Sequence, residues 1–237
     1  MNILFDIEAD GLEPTKIFCI VAMDLDTEEI YSYDIDQIDE GINFLSKASK
    51  LVGHNILGYD LPALNKVAGV NLNHIKIVDT LVLSRLFKPT REGGHGLESW
   101  GYRLGFLKGN YGKSDGAWEQ YTPEMLQYCI NDVKLNAKVY HALKTESRGF
   151  SSKSVQLEHE VAKIINEQRD TGFYLNQRKA MTLAAELNER LVALEKEVHK
   201  EFKPKVKLVT LKPKYTKANK IAKTALDPEG KGVRLTD

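Results

Sequence analysis

Asp6 and Glu8 lie two residues apart in MNILFDIEAD, where Ile3, Phe5 and Ile7 alternate with them. A period of two marks a strand, and side chains at i and i+2 leave a strand on one face, about 7 Å apart at their Cα positions. Two carboxylates buried that way repel each other, so they must be protonated, paired with bases or bound to cations. Taken alone the pair has a plainer reading, as solvent-exposed acids on an edge strand. A third acid, Asp60, opens the helix-like stretch DLPAL after GHNILGY, where the free N–H groups of a helix start also account for a carboxylate. Tyr128 and Asp132 are four apart in a stretch that reads as helix, so phenol and carboxylate rise from one face, one turn apart. A solvated helix face would carry that pair equally well.

The elements that must position these groups alternate in type. The run around Asp6 is followed by FCIVAMDL and EEIYSYDI, two strand-like segments joined by an acidic turn at Asp26-Thr27-Glu28. A helix over 38–47, a strand at LVGHN, a helix over 60–68 and a strand at IKIVDT come next, the pattern of an α/β domain. LVLSRLF is helical and ends at Pro89; the glycine-rich residues 91–96 predict a mobile loop before helix resumes at Leu97. Thr122 and Pro123 are a cap and a preset first residue for a helix reaching about Leu143, with Met125, Leu126, Cys129, Val133 and Ala137 as its buried stripe. Ser-rich TESRGFSSKS then breaks the pattern, which divides the chain into a first domain, 1–146, and a small, mostly helical, basic appendage, 147–237. In the appendage Leu157, Val161, Ile164 and Ile165 mark one helix and Gly172 stops it. Asn176 can cap a second, with Ala180, Leu183, Leu187, Leu191, Leu194 and Val198 on its buried face. Nine lysines follow between Lys200 and Lys223 with little periodicity, and the last ten residues carry no clear element.

With 42% hydrophobic and 28% charged residues among 237, the chain has the apolar material for a sizeable core, which excludes disorder throughout. Cys19 and Cys129 sit in apolar runs and read as reduced core residues, not a disulfide, so a reducing, cytoplasmic setting is expected. The acidic amino terminus is unlike a secretory signal, and no stretch approaches membrane-spanning length. A net charge of zero hides an asymmetry: residues 1–145 hold 20 acidic and 14 basic side chains, residues 146–237 hold 13 and 19. An acidic half suits metal ions and a basic half suits a polyanion held beside them.

In chain order, the D-x-E of the first strand, the acid after H-N-x-x-x-Y and the Y-x-x-x-D of a late helix together resemble the DEDD 3′→5′ exonucleases. The resemblance is to the tyrosine subclass, because the histidine subclass would need His where Gln127 stands. Within that group the chain is similar to the proofreading domain of phage-type family A DNA polymerases. IVDTLVLSRLF, HGLESWGYRLG and EHEVAKIINEQRDTGFYLN look like segments of that branch in the same order, so the likeness runs to about residue 200.

The resemblance implies an RNase H-like mixed sheet flanked by helices and a catalytic set of Asp6, Glu8, Asp60, Asp132 and Tyr128. The four acids would hold two divalent ions, and hard oxygen ligands without His or Cys favour Mg²⁺ or Mn²⁺. Asp6 would bridge both ions, Glu8 and Asp132 would complete the water-activating site, Asp60 would hold the second ion, and Tyr128 would orient the water. Leu12 matches the position that wedges between the last two bases, against a plain reading as packing. Asn55 matches a residue that touches the substrate strand, although an asparagine in such a turn also satisfies local backbone groups. Lys88 and Arg91 flank the glycine-rich loop, where they would touch phosphate or simply face solvent. Lys212 and Lys214, with Tyr215 for stacking, would track a strand or form a solvated face. The implied partners are a single-stranded or frayed 3′ end of DNA, degraded to 5′-mononucleotides, and a separate polymerase chain in trans. If the chain is phage-encoded, the expected setting is the host cytoplasm. The chain ends at Asp237, before any nucleotide-transfer motif, so it is not expected to polymerise alone. The alternatives are an RNase D-like RNA-trimming exonuclease and a non-catalytic docking module of a split polymerase.

Overall fold

In the computed structural model, which describes residues 1–107, 109, 111–113, 116–202, 207–210 and 233–236, five strands form a mixed sheet. They are β1 (Asn2–Ala9), β2 (Ile17–Asp24), β3 (Ile30–Tyr33), β4 (Lys50–Gly53) and β5 (Lys76–Asp79), in the order β3-β2-β1-β4-β5. β1, β2 and β3 run antiparallel, while β4 and β5 lie parallel to β1. β1 is therefore central, and the edge-strand reading of its acids does not apply.

The period of two sorts β1 onto two cores. Ile3, Phe5 and Ile7 join Ile20, Ala22 and Leu51 under α1 (Ile38–Ser46) and α2 (Asp60–Ala68), through Ile42, Leu45 and Leu64. Leu4 points the other way and packs with Val21 and Val52 against Met125, Cys129 and Val133 of α5 (Pro123–Glu146). Asp6 and Glu8 follow Leu4 in phase, so the strand aims both carboxylates at the α5 side. α5 begins as its sequence signals: Thr122 Oγ1 accepts from Met125 N at 3.1 Å, and Pro123 needs no N–H partner.

α3 (Thr80–Phe87) and α4 (Leu97–Leu104) brace the second half of α5 through Leu83, Trp100, Leu135, Val139 and Leu143. The loop between α3 and α4 is tied down, against the expectation of a mobile one. Arg91 pairs with Glu146 and lies 4.2 Å from the Trp100 ring, Ser99 Oγ donates to the Gly93 carbonyl at 2.6 Å, and Arg103 donates to that of Gly94 at 2.6 Å. Its glycines let the backbone meet these donors; Gly93 and Gly94 have φ of 73° and 85°.

The first compact unit runs from Met1 to Gly172, past the break expected at 146, and so includes α6 (Ser152–Thr171). The anchor is His159, whose Nδ1 shares a 2.8 Å hydrogen bond with the Val155 carbonyl while Nε2 accepts from Asp79 N at 2.8 Å. The second unit, Phe173–Asp237, holds α7 (Gln177–Glu201) and two antiparallel strands, β6 (Lys207–Thr210) and β7 (Val233–Thr236). The strands correct the expectation of no regular element there; KLVT and VRLT each alternate over too few residues to stand out. Leu183, Leu187 and Leu191 of α7 are exposed, not buried as their periodicity suggested. Lys212, Lys214 and Tyr215 lie outside the described residues. Among the described residues, no helix is long and apolar enough to cross a membrane.

Candidate active site

β1 carries its acids at the end where the ladder becomes irregular. Asp6 stands opposite Val21 and Glu8 opposite Cys19, and a bulge follows between Glu8 and Ala9. Bulges re-aim side chains and concentrate beside functional sites. Glu8 is buried and Asp6 partly so. Above them Cys129 of α5 directs its Sγ at Asp6, 3.5 Å from the backbone oxygen and 3.7 Å from Oδ2. Ligand atoms of Asp6, Glu8 and Cys129 all lie within 4.8 Å of one another. Burial, then the neighbouring Cys19 and the charge of Asp6, push the Cys129 thiol well above its usual range, so it acts as a donor, not a thiolate.

Asp60 is not a helix cap. It is the first residue of α2, and the cap position, Tyr59, makes no side-chain capping bond. The Asp60 carboxylate instead reaches across to β1, where Oδ1 accepts from Ile7 N at 3.2 Å. β4 pairs with β1 only through Leu4, which leaves the Ile7 N–H open for this bond. Asp60 is almost wholly buried; burial first, then the charge of Asp6, raise its carboxyl well above the usual range. Tyr59 senses the same crowding: burial, then the charges of Asp60, Glu8, Asp10 and Asp6, push its phenol up to about 12.

Asp132 is buried on α5, one turn beyond Cys129, so the solvated-face reading fails for it. Tyr128 lies partly buried between two rings, 5.8 Å from Tyr111 and 6.1 Å from Trp118. The helix face that covers β1 bears Met125, Cys129 and Val133, and through Cys129 it meets the face of β1 bearing Asp6 and Glu8.

The turn between β4 and α2 is held by an acid that sequence reasoning passed over. Asp79, at the end of β5, accepts from Asn55 N at 2.9 Å and Leu57 N at 3.1 Å, and caps α3 through Leu81 N and Val82 N. Burial raises its carboxyl despite these four N–H donors. The signal was there: an Asp immediately before TLVLSRL is a helix N-cap. The turn needs the support, because Asn55 sits in the left-handed region at φ 65°, and a Cβ on Gly53 would come within 1.9 Å of Ile56 Cγ2.

The remaining expected residues fall in different places. Leu12 is 89% exposed just past β1, so plain packing does not account for it. Asn55 is exposed, and Lys88 is exposed at the end of α3. Arg91 is a correction: it is buried and committed to Glu146 and Trp100, so its guanidinium is not presented to a phosphate.

Closely set carboxylates such as those of Asp6 and Glu8, whose ligand atoms lie within 4.8 Å of one another, are a donor set that fits a divalent cation. Asp6 and Glu8 offer hard oxygens side by side, and Asp60, raised by burial and then by the charge of Asp6, would be relieved by a cation nearby.

No protein-family model matches the chain. The chain is 30% identical to the DNA-directed DNA polymerase of Escherichia phage T7 over 260 aligned residues, covering 84% of this chain and 37% of that protein. The corresponding enzyme of Enterobacteria phage T3 is also 30% identical, over 83% of this chain and 36% of its own length. The chain thus spans little more than a third of these curated relatives. Among solved structures, Brucella melitensis NrnC aligns with a TM-score of 0.54 at 18% identity, over 72% of this chain and 85% of that one. Escherichia coli RNase D, an exoribonuclease, aligns at 0.54 and 16% identity, over 70% of this chain and 45% of that one. These structural likenesses establish the RNase H-like α/β fold. The chain is thus homologous to a segment of the phage T7 and T3 DNA polymerases, and it carries an RNase H-like α/β fold.

Proposed function

We propose that the chain is a 3′→5′ DNA exonuclease that hydrolyses the terminal phosphodiester of a strand and releases 5′-mononucleotides. The observation that carries this reading is the meeting of Asp6 and Glu8 on β1 with Cys129 of α5, one turn before the buried Asp132, while Asp60 is tied to Ile7 between the two strand acids. The homology to phage DNA polymerases supports a DNA strand as substrate.

Asp6, Glu8, Asp60 and Asp132 would hold two divalent ions, Mg²⁺ or Mn²⁺, as hard oxygen donors. Such ions, when bound, supply Lewis-acid activation of water and charge stabilisation at a leaving oxygen. The chain's own groups do the positioning. The Tyr128 phenol orients a water by hydrogen bonding, its ring held by Tyr111 and Trp118. Leu12, standing free at the end of β1, parts the last two bases, and Asn55 and Lys88 contact the strand. The proposed catalytic residues all lie within 1–146, and basic residues within 147–237 meet a polymerase moiety, in cis or in trans.

The test is digestion of a 3′-labelled single strand and a matched primer-template with Mg²⁺, with chelator and with Asp6→Ala. Hydrolysis with Mg²⁺ is expected to fall at least about a thousandfold in the other two arms, several kcal/mol of barrier. Hydrolysis that survives Asp6→Ala and chelator excludes the reading. The fold shared with RNase D favours one second reading, an RNA-trimming exonuclease; an RNA strand of the same sequence degraded faster than the DNA strand selects it.

A further inference from the structure

Trp118 helps hold the ring of the proposed water-positioning residue, and in that scheme it makes no contact with the strand. Its ring packs edge-on against Tyr128, at 6.1 Å and 69°, and against Tyr111, at 5.6 Å and 81°. Tyr111 is fixed in turn: its hydroxyl donates to the Ala117 carbonyl at 2.9 Å and lies 3.0 Å from Thr122 Oγ1, the group that caps α5. The three rings are thus locked to the start of the helix that carries Tyr128 and Asp132. Gly112 leaves the indole its room, since a Cβ there would come within 2.9 Å of Trp118 Cζ2.

The rest of the indole is open. Trp118 is only partly buried and lines a cleft of about 430 Å³ with Asp10, Gly116, Ala117 and Glu119. Asp10 lies two residues past Glu8, so the cleft adjoins the end of β1 where the acids sit. Trp100 makes the contrast, being buried at 2% exposure between Arg91 at 4.2 Å and Arg103 at 5.2 Å. Among the described residues the cleft walls carry two acids and no cation, which disfavours a phosphate and suits an uncharged planar group. A rigid indole backed by two rings and open to such a cleft is a stacking surface for a nucleobase, indifferent to which base is presented.

We infer that Trp118 stacks on the base of the 3′-terminal nucleotide and so seats the terminal sugar and phosphate beside the acids of β1. The inference rests on the nuclease reading and adds a substrate contact to it. Because the same ring packs on Tyr128, seating the base also fixes the phenol at the moment a strand is bound.

The test is a cycle between side chain and base. Wild type, Trp118→Ala and Trp118→Phe each digest a strand with an ordinary 3′ terminus and one whose terminal sugar is abasic. In wild type, removing the terminal base is expected to raise KM about tenfold. Trp118→Ala should raise KM on the ordinary strand by a similar factor, add nothing further on the abasic strand, and be partly rescued by Trp118→Phe. A merely structural Trp118 would weaken both strands equally and leave the abasic penalty in Trp118→Ala intact, which overturns the stacking role.

A second readout needs no turnover. In an Asp6→Ala background, ordinary 3′ ends should quench tryptophan emission and abasic ends should not. Adding Trp118→Phe, which leaves only the buried Trp100, should abolish the quench; a quench that survives it overturns the proposal. If wild type degrades no strand at all, the nuclease reading falls and this inference with it. If wild type degrades strands with an abasic penalty that Trp118→Ala does not change, the stacking role alone falls.

Discussion

The backbone N–H of Ile7 donates to Asp60 Oδ1 across 3.2 Å, so the residue lying between Asp6 and Glu8 is tied to the carboxylate that opens α2. The bond joins segments 53 residues apart and holds Asp60 where the charge of Asp6 acts on it. It also fixes the approach of Asp60 to β1 before any ion arrives. Asp60 therefore cannot move away from Asp6 to relieve repulsion without giving up a buried backbone bond.

That arrangement makes the metal-free protein sensitive to pH. The Asp60 carboxyl is raised above its ordinary value of 3.8 by burial and by Asp6. A raised acid favours the folded state fully below its unfolded pKa, and that stabilisation is lost as pH rises through the folded value. Each pH unit by which the carboxyl is raised is worth about 1.4 kcal/mol of lost stability at neutral pH. Asp60→Asn keeps an acceptor for Ile7 and removes the charge, so with chelator it should melt higher than wild type at pH 8 and about equally near pH 4. Mg²⁺ should raise the wild-type Tm at pH 8 and raise that of the variant less. A variant that melts lower than wild type in chelator at pH 8 would contradict the account.

Tyr128→Phe separates phenol from ring. The ring contacts to Tyr111 and Trp118 survive the change, so the fold and strand binding should be nearly unaffected. Loss of the hydrogen bond that positions water should lower kcat about a hundredfold, with KM within about threefold. The measurement is single-turnover digestion at saturating Mg²⁺, and a kcat within twofold of wild type would remove the positioning role.

Much of this was legible in the residues because their periods are strong. Ile3, Phe5 and Ile7 set the phase of β1, and that phase alone placed Asp6 and Glu8 on one face. Thr122 and Pro123 fixed the start of α5, hence the face shared by Tyr128, Cys129 and Asp132. Roles that depend on partners distant in sequence were not legible. Nothing local to Arg91 announces Glu146, 55 residues away, or the Trp100 ring. Asp79 looked like the end of a strand, and only the fold brings the N–H groups of Asn55 and Leu57 to its carboxylate. The apolar stripe of α7 has helical spacing, yet spacing does not say whether a face is covered, and its leucines are exposed.

Arg91→Ala tests whether that residue serves the fold or the strand. The guanidinium is buried, bonded to a partly exposed Glu146 and stacked over Trp100. Removing it should cost about 2–4 kcal/mol in chemical denaturation. The salt dependence of strand binding should keep its slope, because no phosphate contact is lost. A stable variant with a flatter salt slope would return Arg91 to the list of phosphate contacts.

Asn55 poses the same question with the opposite expectation. Its backbone is held by Asp79 at φ 65°, a conformation that costs most L-residues about 1–2 kcal/mol and that glycine and asparagine tolerate. Its side chain is exposed, with Oδ1 close enough to Gly58 that a Cβ there would stand 2.6 Å away. Asn55→Gly removes the amide and keeps the turn; Asn55→Ala removes the amide and strains the turn. If the amide touches the strand, as proposed, both variants should raise KM by about fivefold, the worth of one hydrogen bond. Only Asn55→Ala should also lower the Tm. An Asn55→Gly variant with wild-type KM would mean that the residue is there for its backbone alone, and that the turn braced by Asp79 serves to deliver Asp60 and nothing more.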